Sequence, residues 1–544
     1  MAMKSARRAR VSPVDTAWLR MDTPGNLMMI VGVMILGADF DFARLRRVVQ
    51  AKLLSYPRFR SRVVTDPTGA WWEEVDPDLD QHLVRIGLPG KGDKQDLEKL
   101  VAQLASQALD HARPLWQFHL IENYAGGTAL VSRIHHCIAD GIALMGVLLS
   151  LTSPDQAHDD KSEADAPRKA TQHRAPWDPW LAPFTATAVK AIGATGDLAS
   201  RALKAYGRVL ENPDLAAKAA AGYAHTAAQV ARDLASLALM ENDSATSLKG
   251  HPGGSKAVAW CEPLPLTDVK AAGKALGCSV NDVLLACVAG AIREYLLARG
   301  ESLERAELRA MVPLNLRRPS DANSLGNKFG LVPVLLPIGI EHPVERVLEV
   351  RRRMDQLKGG YTAVIAMAIL GVVGLVPRLV QKQVLDLFGS KTTAVMTNVP
   401  GPQQPLFLAG APVEQIMFWV PQSGDVAVGV SILSYNGGVQ FGLVTDKAVC
   451  TEPQLIIDRF APEFERLVYA MLLAPWDERL DPAVSRHALL ATETAAGIAA
   501  HIQHTEPSEH HEGKGNGAQG PATGSQPAVA RKRKSAFATA RSQH

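Results

Sequence analysis

Cysteine is scarce in this 544-residue chain: Cys137, Cys261, Cys278, Cys287 and Cys450 lie scattered, and none forms a CxxC pair. Neither a zinc site nor a disulfide framework is expected from that pattern, which suits a reducing compartment. HExxH is absent too, and no carboxylate stands at metal spacing from a histidine pair. The formal charge of +3 is too small to argue for nucleic acid, and no basic stripe interleaved with aromatics crosses the body of the chain. "MAMKSARRARVSPVDTAWL" is basic but has no apolar core, so no secretory signal is expected. The longest apolar run, "TAVIAMAILGVVGLV", has 15 residues from Thr362 to Val376 before Pro377 stops it. A helix needs about 20 to cross a bilayer. The run reads as a buried or membrane-surface helix.

What is present is ordinary globular material, 47% apolar and 21% charged, in a chain long enough for two domains. Residues 1–152 mix strand and helix patterns. "LMMIVGVMIL" (Leu27 to Leu36) is a continuous strand-like run, and Asp41 stands as N-cap before apolar residues at helical spacing. Residues 153–255 open polar and Pro-bearing and continue Ala-rich, a linker with connecting helices. Residues 256–480 repeat the mixed pattern. "SVNDVLLACVAGAIREYLLARG" predicts a helix capped at Ser279 or Asn281, and the turn Asn436-Gly437-Gly438 predicts a hairpin. Residues 481–544 are rich in Gly, Pro, Ser and Gln, the composition of a disordered tail.

The concentration of chemistry is "SRIHHCIADGIALMGVLLSL", Ser132 to Leu151. Three ionisable groups sit there in apolar surroundings, where an unpaired buried polar group costs about 1–3 kcal/mol or more. "GGTALVSRIHH" reads as a strand and "DGIALMGVLLSL" as the following helix, so the histidines mark the strand's end. Successive strand residues point to opposite faces, so His135 and His136 cannot both enter one pocket, which argues against a shared metal. Two readings stay open on the residues alone. One is a pair of satisfied core histidines with Asp140 as helix cap. The other is an imidazole poised to take a proton from an alcohol or thiol, with Gly141 allowing close approach.

"HHCIADG" matches the HHxxxDG motif of the acyltransferases that share the chloramphenicol acetyltransferase and condensation-domain fold. The surrounding residues sharpen this to a resemblance to the bacterial wax ester synthase/diacylglycerol acyltransferase family. "SPVDTAWLRMDTP", "RPLWQFHLIE", "VNDVLLA", "MVPLNLR", "LGNKFG", "TNVPGP" and "SYNGGVQFGLVTD" follow in that family's order over roughly residues 10–475.

The resemblance implies an α/β fold of two chloramphenicol-acetyltransferase-like halves, each a mixed sheet flanked by helices, with a tunnel between them. It implies His136 as general base in an O-acyl transfer from acyl-CoA to diacylglycerol or a long-chain alcohol, giving triacylglycerol or wax ester. No cofactor is implied beyond acyl-CoA as co-substrate. His135 and Gly141 would support the base, and Asp140 would orient the loop, with Arg60 of "YPRFRSR" as its partner. On the residues themselves, Asn281 and Asp282 begin a helix whose dipole favours an anionic group, or serve as an ordinary N-cap; Asn315, Arg317 and Asn398 would border the tunnel or hold the halves together. The protein would be cytoplasmic, associating peripherally with the inner membrane face or lipid bodies. Two other functions compete: a condensation-type enzyme using a carrier-protein thioester, and a non-catalytic protein of the lipid-droplet surface.

Overall fold

Strands built from continuous apolar runs need cover on both faces, and that requirement organises the molecule. The computed structural model describes residues 8–154, 240–316, 325–357 and 389–473, with Ala366, Met367, Gln381 and Asp386. Most of the expected linker, Arg317, most of the Thr362–Val376 run and the tail lie outside the described residues.

The first half opens with β1 (Arg8–Arg10) and α1 (Pro13–Met21). Ser12 caps α1 by accepting from the Asp15 N–H at 3.1 Å, and Pro13 supplies the helical φ of its first position. Next come β2 (Met29–Leu36), α2 (Phe42–Ala51), β3 (Ser61–Asp66), β4 (Gly69–Glu74), α3 (Leu79–His82), β5 (Leu83–Gly87) and α4 (Lys94–Ala105). Asp41 caps α2 as its sequence position predicts. The paired strands β6 (Trp116–Tyr124) and β7 (Gly127–His135) lead into α5 (Gly141–Ser150).

In the second half, β8 (Lys256–Trp260) and β9 (Leu264–Pro265) precede the helices Leu266–Ala275 and Val280–Ala298. β10 (Leu308–Asn315), β11 (Phe329–Leu336), the helix Pro343–Leu357, β12 (Ala394–Pro400), β13 (Leu406–Leu408) and β14 (Ala411–Trp419) follow. The hairpin β15 (Val428–Tyr435) and β16 (Gly438–Asp446) and the helix Phe460–Leu473 complete it. Asn436 and Gly437 turn that hairpin with φ of 46° and 80°, the left-handed pair that a two-residue connection requires.

Two large mixed sheets result. One runs β13–β14–β2–β7–β6–β5, the other β11–β10–β12–β15–β16–β8 with β9 beside β16. The helix Val280–Ala298 is buried against the second sheet in one continuous apolar core. All eight residues of β2 are buried. Ile30, Met34 and Leu36 join the core under α5, while Met29, Val31, Val33 and Ile35 face α4 and Trp260 of β8. That double cover is why its sequence lacks the usual apolar–polar alternation.

The halves are interlocked rather than consecutive. β13 and β14 come from the later part of the chain but extend the first sheet, with Trp419 opposite Val31 and Phe418 opposite Gly32. The boundary at 256–480 therefore does not enclose the second half alone. No single helix among the described residues is long and apolar enough to cross a membrane.

Candidate active site

β7 carries the histidines to its end and stops. The His135 N–H still bonds the Leu115 carbonyl at 2.9 Å, and the His136 N–H bonds that of Met28 at 2.8 Å. The chain then turns, and Asp140 caps α5 through Oδ1, which accepts from the Ala143 N–H at 2.9 Å.

The two rings go to opposite sides, as strand geometry demands. His135 points backwards into protein. Its Nδ1 accepts from the Cys137 N–H at 3.1 Å, so its proton resides on Nε2, which lies 3.6 Å from Asp22 Oδ2. His111 Nε2 reaches the same oxygen at 3.2 Å. Burial works to raise the Asp22 pKa. The hydrogen bonds from His111 and the Met28 N–H, with the nearby His135 ring, outweigh it and hold the carboxyl well below the usual range. Burial lowers the pKa of His135, and Asp22 opposes that shift.

His136 faces a cavity. Its ring stacks on Trp18 at 4.1 Å with 16° between the planes, and Phe329 lies 5.6 Å away on the same group. Nδ1 is buried, so Nε2 is the nitrogen turned toward open space. Burial pushes the His136 pKa down to about 4, although the Asp140 charge, the histidine's own carbonyl and Asn327 act in the opposite sense. The imidazole is therefore neutral at physiological pH. The cavity around it is largely apolar and drawn from both halves: Trp18 and Gly141 on one side, Met311, Leu331 and Asn398 on the other, with Phe418 of the shared strand β14.

Asp140 lines this cavity and also ties the halves, because its Oδ2 accepts from the Lys328 N–H at 2.9 Å. Gly141 begins α5, and a Cβ there would stand 3.4 Å from the Phe418 ring, so helix and β14 pack closely. Asn398 lines the cavity and donates to Asn281 Oδ1 at 2.8 Å. Asp282 completes a reciprocal capping box with Ser279, at 3.2 and 2.8 Å, so its carboxylate serves the helix start. Asn315 ends β10 in register with Phe329.

Arg60 requires correction. Its Nε pairs with Glu74 at 2.8 Å near the surface. The arginine that grips the histidine loop is Arg58, whose Nη1 donates to the carbonyls of Cys137 (3.1 Å) and Ile138 (2.7 Å). Pro57–Arg60 forms a 3₁₀ turn with three residues per turn, so side chains two apart project in different directions. Arg58 Nη2 also meets buried Asp15 at 2.9 Å. Asp15, Trp18, Asp22, Arg58 and Asn327 are the site residues that sequence reasoning missed. The first three recur at i, i+3 and i+7, the spacing of one helical face, and that signal was available in "SPVDTAWLRMDTP".

Comparison with known proteins gives a family match for the sequence and a wider set of proteins that share the fold. The model of the wax ester synthase/diacylglycerol acyltransferase catalytic domain matches residues 11–284, and that of the WS/DGAT C-terminal domain matches residues 325–468. A protein of Mycobacterium tuberculosis described as a probable diacylglycerol O-acyltransferase is 29% identical over 465 residues, covering 81% of this chain and 92% of its own. The solved wax ester synthase/diacylglycerol acyltransferase of Marinobacter aquaeolei shares the fold at TM-score 0.57 and 21% identity, covering 84% of this chain and 98% of that one. The first condensation domain of the calcium-dependent antibiotic synthetase shares it at TM-score 0.52 and 15% identity, over 88% and 98% of the two chains. With half of its length in the catalytic-domain match and a second match beyond it, the chain belongs to the wax ester synthase/diacylglycerol acyltransferase family of acyltransferases.

Proposed function

We propose that this acyltransferase moves a long acyl chain from acyl-CoA to the hydroxyl of diacylglycerol or a long-chain alcohol, with His136 as general base. The observation that carries the reading is the neutral imidazole of His136, with one nitrogen on an apolar cavity lined from both halves. Nδ1 is buried in protein, so the tautomer that can act as base keeps its proton on Nδ1 and turns the Nε2 lone pair to the cavity. Nε2 takes the hydroxyl proton as the oxygen attacks the thioester carbon. The tetrahedral intermediate collapses, the carbon–sulfur bond breaks, and the imidazolium returns its proton to the departing thiolate. One group serves both transfers, no acyl-enzyme forms, and no cofactor beyond the acyl-CoA co-substrate is needed. A placed base contributes about 10²–10⁴-fold, and alignment of the two substrates adds to it.

Because both acceptors are membrane-soluble lipids, the protein would work peripherally, from the cytoplasm, at the inner membrane face or on lipid bodies. Purified protein given labelled palmitoyl-CoA should yield triacylglycerol with diacylglycerol, wax ester with hexadecanol, or both. The shared fold with a condensation domain makes a carrier-protein thioester the competing donor. Palmitoyl-loaded acyl carrier protein turning over while palmitoyl-CoA does not would replace the proposed donor, and no transfer from either would refute the reading.

A further inference from the structure

The loop that presents His136 is held from outside itself, and part of the grip comes from the opposite half of the molecule. Asn327 precedes β11, is 7% exposed, and uses its amide nitrogen twice. It donates to the His136 carbonyl at 2.8 Å and to Asp15 Oδ1 at 2.8 Å. Asp15 is 1% exposed, a burial that a carboxylate tolerates only when well paired. Its other oxygen takes Arg58 Nη2 at 2.9 Å, and the same guanidinium holds the carbonyls of Cys137 and Ile138. The next residue after Asn327 supplies the N–H that binds Asp140. Three successive carbonyls and the Asp140 carboxylate are thus fixed by one connected network.

We propose that Asn327, anchored on Asp15, is a positioning residue that sets the orientation of His136 from across the junction between the halves. The proposal rests on the reading of His136 as base. Its logic lies in which atom Asn327 touches. That carbonyl belongs to the residue that carries the ring, and the direction of its peptide sets where the ring points. Asn327 fixes that direction. Without it the peptide can rotate, and Nε2 is then aimed at the acceptor for only part of the time. The consequence falls on the chemical step and not on substrate binding, since Asn327 contributes no surface to the cavity.

A merely cohesive role would look different. Lys256 also joins the halves, donating to Asn26 Oδ1 at 3.2 Å and to Asp446 Oδ2 at 3.2 Å, but it makes no contact with the histidine loop. Its loss weakens the junction without touching the base.

The test compares wild type, Asn327→Ala, Asn327→Ser, Lys256→Met and His136→Ala in the full chain, measuring kcat, KM, thermal midpoint and the imidazole ¹⁵N spectrum. Asn327→Ala is expected to lower kcat about 10- to 100-fold, the scale of a small misplacement of a reacting group, with KM for both substrates within threefold. The His136 ¹⁵N signals should shift and broaden as the ring samples more than one orientation. Asn327→Ser gives the same readouts should the alanine variant fold poorly. Lys256→Met should lower the thermal midpoint and leave kcat within threefold. Asn327 variants with wild-type kcat and unchanged His136 ring signals, or a Lys256→Met loss of kcat equal to theirs, would overturn the positioning role. His136→Ala separates the two claims: full turnover there defeats the base itself, whereas an inactive His136→Ala beside fully active Asn327 variants defeats only the positioning.

Discussion

A histidine that stays neutral while buried is a base at every pH well above its own pKa. His136 has its pKa pushed down to about 4 by burial, against about 6.5 for a free imidazole. We therefore expect kcat/KM to be flat from about pH 5.5 to 8, with the acid limb near 4. A limb near 6.5 would place the imidazole in solvent. Linkage gives stability its own pH dependence in the same range. The folded pKa lies below the unfolded one, so the unfolded chain binds the proton first as pH falls. Stability is lost progressively from about pH 6.5 toward 4, and His119, also lowered to about 4 by burial, adds to that loss. Circular dichroism across the profile separates the two effects. Much of this residue-scale picture was legible beforehand. The opposed directions of His135 and His136 followed from strand geometry, and Asp140 as a cap followed from its place before an apolar helix. Arg58 was not distinguishable from Arg60, because only the 3₁₀ turn decides which one faces the loop. Asn327 was out of reach, since its bond to His136 spans 191 residues.

At the scale of elements, capping and turn chemistry were readable because they are local. Asp41, Ser279 and the Asn436-Gly437 turn each act within a few residues of themselves. The packing of α4 against β8 was not readable, and it contains a buried acid. Glu98 accepts from the Trp260 N–H at 3.2 Å, and burial raises its pKa to about 7. Here the folded pKa lies above the unfolded one, so the native state holds its proton longer. The stability this carries is full below about pH 4.5 and lost as pH rises through 7. Glu98→Gln keeps an oxygen for Trp260 and removes the charge. Its thermal midpoint should exceed wild type at pH 8, by stability on the order of 3 kcal/mol at most, and match it at pH 4.5. An equal change at both pH values would mean that Glu98 does not titrate in that interval.

For the whole molecule, sequence order misleads about assembly. A reading along the chain separates residues 1–152 from 256–480, and the composition supports that division. The sheets do not respect it, because β14 pairs along β2 and closes that edge of the first half. Strand exchange of this kind leaves no local signal, since the apolar pattern of β14 would suit either sheet. A fragment of residues 1–152 would expose the β2 edge that β14 pairs with and would lose Trp260 and Met417 from the core beside α4, a template for aggregation. Expressed alone it should be insoluble, and coexpression with residues 240–480 should recover soluble complex. A monomeric, cooperatively melting 1–152 fragment would show that the interlock is dispensable. The interlock also bears on function, because the cavity beside His136 takes its walls from both halves.

The central claim is that the His136 imidazole performs the proton transfers, and single-turnover acyl transfer by His136→Ala at pH 7.5 tests it most directly. With labelled palmitoyl-CoA and the preferred acceptor, the variant should keep its fold and bind both substrates, while its transfer rate falls by about 10²–10⁴-fold. A rate within a few-fold of wild type would contradict the account.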